Sequence, residues 1–246
     1  MESASERVSL ASSSVRGPSW EREDWVFSRF ASGRVSRATA LALAIPLGAL
    51  ALWEATWLGQ SVVVCVSLYL LLNLSYTWWL KGAPLIEVIV LALGFLLRLV
   101  AGIYPLGDIP TVWITLCMFF LALFLGFSKR RCELANAGER ARLQRPVLAR
   151  YTLPYLDTLV SGAAAITVVC YALFTGISGK NATLVITVPL VYGAIMYYKH
   201  LVMVRSVGEE PEGVLLHDRI IQVTVASWLL IYLVVEHNDP GWFRAP

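Results

Sequence analysis

The chain has 246 residues, of which 57% are hydrophobic and only 15% charged, with a formal net charge of +3. Its apolar runs are continuous rather than alternating, which excludes a β-barrel, and together they leave no room for a separate soluble domain. The small basic excess comes with no nucleic-acid-binding motif, so nucleic acid is excluded as a partner.

Residues 1–29 are Ser-rich and charged, lack the apolar stretch of a signal peptide, and are expected to form a disordered tail. From residue 30 to 246 the pattern is that of one all-α integral membrane domain, a helical bundle of about seven transmembrane helices. The expected spans are 38–58, 61–80, 84–103, 109–128, 153–175, 182–198 and 220–236. With the N-terminus in the cytoplasm, seventeen of the 20 Lys and Arg fall on the inner side. Lys180 and Arg244 fall outside, and Arg98 lies within a span. That asymmetry predicts a multi-pass plasma-membrane protein whose active face is cytoplasmic, because the inner loops are also the longer and chemically richer ones. Cys65, Cys117 and Cys170 sit inside spans and Cys132 at the inner interface, the pattern of buried thiols rather than disulfides.

Three groups of residues could carry chemistry. The first brackets the short inner turn Lys81-Gly82-Ala83-Pro84 and comprises Asn73, Tyr76, Lys81 and Glu87. Asn73 and Tyr76 are three apart on a helix, hence on one face, and Lys81 is a mobile cation suited to phosphate oxygen. The same stretch also reads as an aromatic belt of Tyr76, Trp78 and Trp79 with Lys81 as a positive-inside anchor. On the following helix, eleven steps at about 100° bring Arg98 to within about 20° of Glu87, with Gly94 on the same line. The two charges are about 16 Å apart along the axis, too far to pair, which suits the wall of a cavity. Snorkelling of Arg98 outward is the competing reading.

The second group, Lys129-Arg130-Arg131-Cys132-Glu133-Leu134, follows directly on a span and offers three cations to a polyanion, or simply ends a helix on the inner side. Glu139 to Arg145 then reads as an amphipathic helix near anionic headgroups. The third group runs from Glu210 and Glu212 to Asp218 and Arg219, just before the last span. Carboxylates there could hold Mg²⁺ against substrate phosphates, or could form a polar turn that starts a helix.

Taken in order, Asn73-Leu-Ser-Tyr-Thr-Trp-Trp-Leu-Lys81, Glu87 with Gly94-Phe-Leu-Leu-Arg98, Lys129 to Leu134, Tyr151-Thr-Leu-Pro-Tyr155 and Glu210 to Arg219 resemble the UbiA-type prenyltransferase superfamily. Within it they resemble the decaprenyl-phosphate phosphoribosyltransferase branch, over about residues 30 to 235. The resemblance implies a truncated version of a nine-helix fold, with a cytoplasm-facing cavity open sideways to lipid. It implies transfer of 5-phosphoribose from phosphoribosyl pyrophosphate to a polyprenyl phosphate, assisted by Mg²⁺, on a route to cell-envelope precursors. It assigns Tyr76, Lys81, Glu87 and Asp218 to catalysis. Asn73, Arg98, Lys129, Arg130, Glu133 and Arg219 would bind substrate, and Glu210 and Glu212 would bind metal. A homo-oligomer is compatible with it.

The chain departs from the pattern where the superfamily's first Asp-rich motif is expected. Ser19 to Arg29 stands there, with Glu21, Glu23 and Asp24 at a different spacing. The two helices that precede that motif are expected to be missing and turnover to be impaired. A non-catalytic truncated paralogue that binds lipid or a partner, another UbiA-type prenyltransferase, and an ion-coupled transporter are the other readings.

Overall fold

The computed structural model describes residues 37–78, 82–144, 146–177 and 182–238. The N-terminal tail with its acidic segment, and Lys81, lie outside these. The described residues are all-α. Helix α1 is Arg37–Leu58, α2 Gln60–Trp78, α3 Ile86–Ile103, α4 Val112–Gln144, α5 Leu153–Ile177, α6 Val188–Arg205, α7 Pro211–His217 and α8 Arg219–Asn238. Short 3-10 turns at Tyr104–Leu106, Pro146–Arg150 and Ala182–Thr187 join them. Two compact units divide the chain, Met1–Ala51 and Leu52–Pro246. Of the first, the described residues are those of α1 from Arg37 onward; the site described below lies in the second.

This is an integral membrane protein. Five helical stretches among the described residues are long and apolar enough to cross a bilayer: Gln60–Thr77, Ile86–Leu106, Val112–Asn136, Leu153–Ile177 and Thr183–Arg205. Helices α7 and α8 make a sixth if that pair, bent by 84°, is counted as one span. The first expected span is present as the shorter apolar stretch Ala42–Leu58. Large side chains such as Leu106, Val223 and Leu230 face outward, as hydrocarbon permits and water would not.

Two boundaries differ from the sequence reading. Helix α4 does not end near residue 128 but continues without a break to Gln144, so the Lys129–Leu134 segment is helical. Helix α6 likewise runs to Arg205, where Ser206 closes it in a left-handed conformation. Basic residues mark where a helix leaves the membrane, and Arg, Glu and Leu favour helix on either side of that plane.

The core sits where α4, α5 and α6 meet, around Phe124, Cys132, Leu156, Val160, Ala164 and Val202. All four cysteines of the described helices are free and buried. Lipid is as apolar as the side chains, so close approach and polar contacts hold such helices together. Gly126 of α4 supplies close approach: a Cβ there would lie 2.5 Å from Val88 Cγ1 of α3. Tyr171 supplies a polar contact. Its hydroxyl bonds Thr187 Oγ1 at 2.7 Å and accepts from Trp228 Nε1 at 2.7 Å, joining α5 to α8.

Gly126→Ala should therefore lower thermal stability in detergent by about 1–2 kcal/mol despite its better helix propensity, because overpacking outweighs the propensity gain. Adding Val88→Ala should recover the loss. Gly94→Ala, whose nearest neighbour would be Tyr69 at 3.5 Å, should be close to neutral.

Candidate functional site

The site is built around the first turn of α3. Glu87 enters it as an acidic residue near a helix N-terminus, where the helix dipole favours negative charge. Its side chain is only 1% exposed and points at α4, where Arg130 Nε lies 2.8 Å from Glu87 Oε1. The same guanidinium reaches Glu133 Oε2 at 2.6 Å, one turn further along α4. Two carboxylates thus share one buried cation. Arg130 is already compensated within the fold.

The three consecutive cations of α4 therefore have three different environments. Arg131 is a structural clamp: its Nε bonds Asp157 Oδ1 of α5 at 3.0 Å. Its Nη atoms donate to Val202 O at 2.8 Å, Met203 O at 3.2 Å and Ser206 Oγ at 3.2 Å. Val202 and Met203 offer carbonyls left open at the C-terminus of α6, where a cation also suits the helix dipole. Lys129 is partly exposed and has no ion pair among the described residues.

One turn beyond, Asn136 Nδ2 donates to Ser206 O at 3.0 Å and to Glu209 Oε1 at 2.7 Å, fixing the link from α6 to α7. Gly208 lets that link lie flat. It has φ +154, and a Cβ there would meet Val202 Cγ2 at 2.9 Å and Cys132 Sγ at 3.3 Å. At the start of α7, Glu210 and Glu212 remain exposed. Among the described residues no three His, Cys, Asp or Glu side chains gather into a metal cage. What this face offers a divalent cation is two exposed carboxylates, a donor set that suits Mg²⁺ shared with substrate phosphates. Asp218 holds the fold together here. Its Oδ1 accepts from Ile220 N at 2.9 Å and Ile221 N at 3.1 Å, capping α8. Its Oδ2 accepts from the Tyr197 hydroxyl at 3.2 Å, and Arg219 beside it is exposed.

The stripe of α3 divides. Glu87 faces α4, whereas Arg98 lies in a small groove between α2 and α3 lined by Tyr69, Asn73, Tyr76, Gly94 and Phe95, with a volume of about 60 Å³. Arg98 donates to the Tyr69 hydroxyl and sits over the Tyr69 and Phe95 rings, 4.7 and 5.2 Å from their centroids. Asn73 Nδ2 donates to Tyr69 O at 2.7 Å. Tyr76 connects the two regions, since it lines the groove and lies within electrostatic reach of Arg130. Asn73, Tyr76 and Arg98 are thus brought together. Glu87, Arg130 and Glu133 form a second group, and Glu210, Glu212, Asp218 and Arg219 a third around α7.

Sequence reasoning missed Tyr69, Asn136 and Asp157 as participants; it counted Arg131 among three cations facing a polyanion, not as a clamp, and quoted Tyr151 within the family resemblance without giving it a role. Tyr151 is 2% exposed, accepts a hydrogen bond from Leu85 N–H, and lies close enough to Glu87 and Arg130 to feel both charges. Burial pushes its phenol above the ordinary tyrosine value, against the opposing pull of the Leu85 N–H. It is therefore a neutral hydroxyl throughout the working pH range. The sequence signal is its place in the link between α4 and α5, a region where a large aromatic must find a core or a partner.

Removing the shared cation should be costly. Arg130→Met should destabilise the protein by about 3–5 kcal/mol, because it removes the cation that lies on the buried Glu87 carboxylate. Glu87→Gln added to Arg130→Met should recover part of that loss, read as the melting temperature in nanodiscs.

Comparison with known proteins agrees with this architecture. The chain is 29% identical over 215 residues to a decaprenyl-phosphate phosphoribosyltransferase of Mycolicibacterium smegmatis, covering 82% of this chain and 67% of that protein. It is 29% identical over 208 residues to the Mycobacterium tuberculosis protein of the same name, covering 82% and 68%. A Corynebacterium glutamicum protein of that name is 27% identical over 188 residues, covering 74% of this chain and 56% of its own length. The family model of the UbiA prenyltransferases matches residues 28–217, which holds α1 to α7 and nearly every group described above. The chain belongs to the UbiA prenyltransferase family.

Proposed function

We propose that this protein is a membrane transferase that moves 5-phosphoribose from phosphoribosyl pyrophosphate to a polyprenyl phosphate. An oxygen of the lipid phosphate would bond to the ribose C1 as the C1–O bond to pyrophosphate breaks, and pyrophosphate would leave with the electron pair. Negative charge grows on the leaving group in that step, so the protein's main contribution is positive charge placed where it develops. The names of the relatives, which give decaprenyl phosphate and a phosphoribosyl group, support the acceptor and the group transferred.

The observation that carries the reading is the contrast along α4. Arg130 is held by two carboxylates and Arg131 by Asp157 and the end of α6, whereas Lys129 is partly exposed with no ion pair among the described residues. Lys129, with Lys81 and Arg219, would hold phosphate oxygens. Arg130 would orient Lys129 and the adjacent wall, and Glu87 and Glu133 would fix Arg130. Tyr76 and Asn73 would orient substrate, and the Arg98 groove would hold part of the lipid. Asp218 would act by fixing the joint between α7 and α8. Mg²⁺ bound at Glu210 and Glu212 together with pyrophosphate would neutralise the departing charge. The abundance of basic residues on this side supports a cytoplasmic orientation.

The test is turnover of labelled phosphoribosyl pyrophosphate by the purified protein in nanodiscs with polyprenyl phosphate and Mg²⁺. Lys129→Ala should lower kcat/KM by about 100-fold while the melting temperature stays within a few degrees, since a partly exposed cation adds little to stability. Wild-type protein that binds polyprenyl phosphate but turns nothing over would reject the reading in favour of a lipid-binding paralogue.

A further inference from the structure

The turn that precedes Glu87 is held in a backbone conformation that leucine rarely adopts. Leu85 has φ 66 and ψ −50. The Ile86 N–H donates to Pro84 O at 2.8 Å, across one residue, which makes this a γ-turn of the strained, positive-φ kind. Such a conformation is disfavoured at a residue with a Cβ and persists only where the surroundings enforce it. Helix α3 starts on this turn: Glu87 N–H donates to Ala83 O at 3.2 Å and Ile89 N–H to Leu85 O at 3.0 Å.

The enforcing contact comes from a distant part of the chain. The Leu85 N–H donates to the hydroxyl of Tyr151, 66 residues away. Tyr151 is itself fixed, since its ring is 2% exposed within the main core and its N–H donates to Leu148 O at 3.2 Å. The phenol also lies within electrostatic reach of Glu87 and Arg130. One hydroxyl therefore ties the start of α3 to the link between α4 and α5, two residues from the carboxylate that compensates Arg130. Relaxing Leu85 to negative φ would turn the first residues of α3 and take Glu87 with them.

We propose that Tyr151 is a positioning residue: its hydroxyl holds the strained Leu85 turn so that the Glu87 carboxylate stays on Arg130 and the Lys129 face keeps the geometry that phosphoryl ligands require. The effect on turnover rests on the transferase reading above, whereas the effect on the turn does not. Tyr151 makes no contact with substrate in this scheme and acts through Leu85 and Glu87.

The experiment compares wild type, Tyr151→Phe, Leu85→Gly and the double variant in nanodiscs, by amide hydrogen exchange over residues 85–88 and by steady-state kinetics. Tyr151→Phe keeps the ring and removes only the acceptor. It should exchange about tenfold faster at these amides with the melting temperature nearly unchanged. Its kcat should fall about 10- to 100-fold with KM for phosphoribosyl pyrophosphate within about twofold, as misplaced groups lower the chemical step. Glycine adopts positive φ without penalty, so Leu85→Gly in the Tyr151→Phe background should restore kcat to within about threefold of wild type. A residue that merely fills space would not be rescued this way. Unchanged exchange in Tyr151→Phe overturns the proposal, as does a loss of kcat that Leu85→Gly leaves in place. If wild type itself shows no turnover, the transferase reading fails and the exchange measurement alone decides whether Tyr151 holds the turn.

Discussion

Everything at the basic end of this bundle depends on one cation shared by two carboxylates. Arg130 joins Glu87 of α3 to Glu133 of its own helix, and all three are largely withdrawn from water. In a low-dielectric interior such a network is stable only when complete, because each charge loses its hydration and must regain the energy from its partners. It fixes the register of α3 against α4, since sliding one helix along the other would part Glu87 from Arg130. Gly126 against Val88 then fixes how closely the two helices approach.

A second set of contacts keeps the remaining helices in place. Arg131 gathers Asp157 of α5 and the last carbonyls of α6 around one guanidinium. Asn136 and Gly208 press the following link onto the same surface. Nearer the other end, Tyr171, Thr187 and Trp228 form a continuous chain of donors and acceptors. Adjacent residues on α4 thus serve unrelated ends: Arg131 ties α4 to α5 and α6, Arg130 pairs with Glu87 and Glu133, and Lys129 is partly exposed.

Much of the fold is legible in the sequence because hydrocarbon imposes a simple rule on it. Long apolar runs show the helices, and the distribution of Lys and Arg gives an expected orientation. The end of α4 is not legible, since charge marks the membrane surface and says nothing of where the backbone stops being helical. The stripe of Glu87 and Arg98 illustrates a second limit. A helical wheel places both on one line, yet at different heights they meet different neighbours, Arg130 for one and Tyr69 for the other. The pairing of Arg130 with Glu133 follows from their spacing of three, whereas the contact of Tyr151 with Leu85 depends on tertiary approach that no local pattern encodes. Asp218 reads as a chemical group in the sequence and serves as a helix cap, a role that short side chains before an apolar helix commonly take.

The elbow between α7 and α8 has a mechanical consequence. Asp218 both ends the short helix and caps the first turn of the long one, and Gln222 of the long helix donates to the Leu216 carbonyl of the short one, so the corner is braced on both of its sides. With the Asn136 contacts holding the far end of the short helix, the 84° bend is a bracket that keeps Glu210 and Glu212 at a set position beside the long helix.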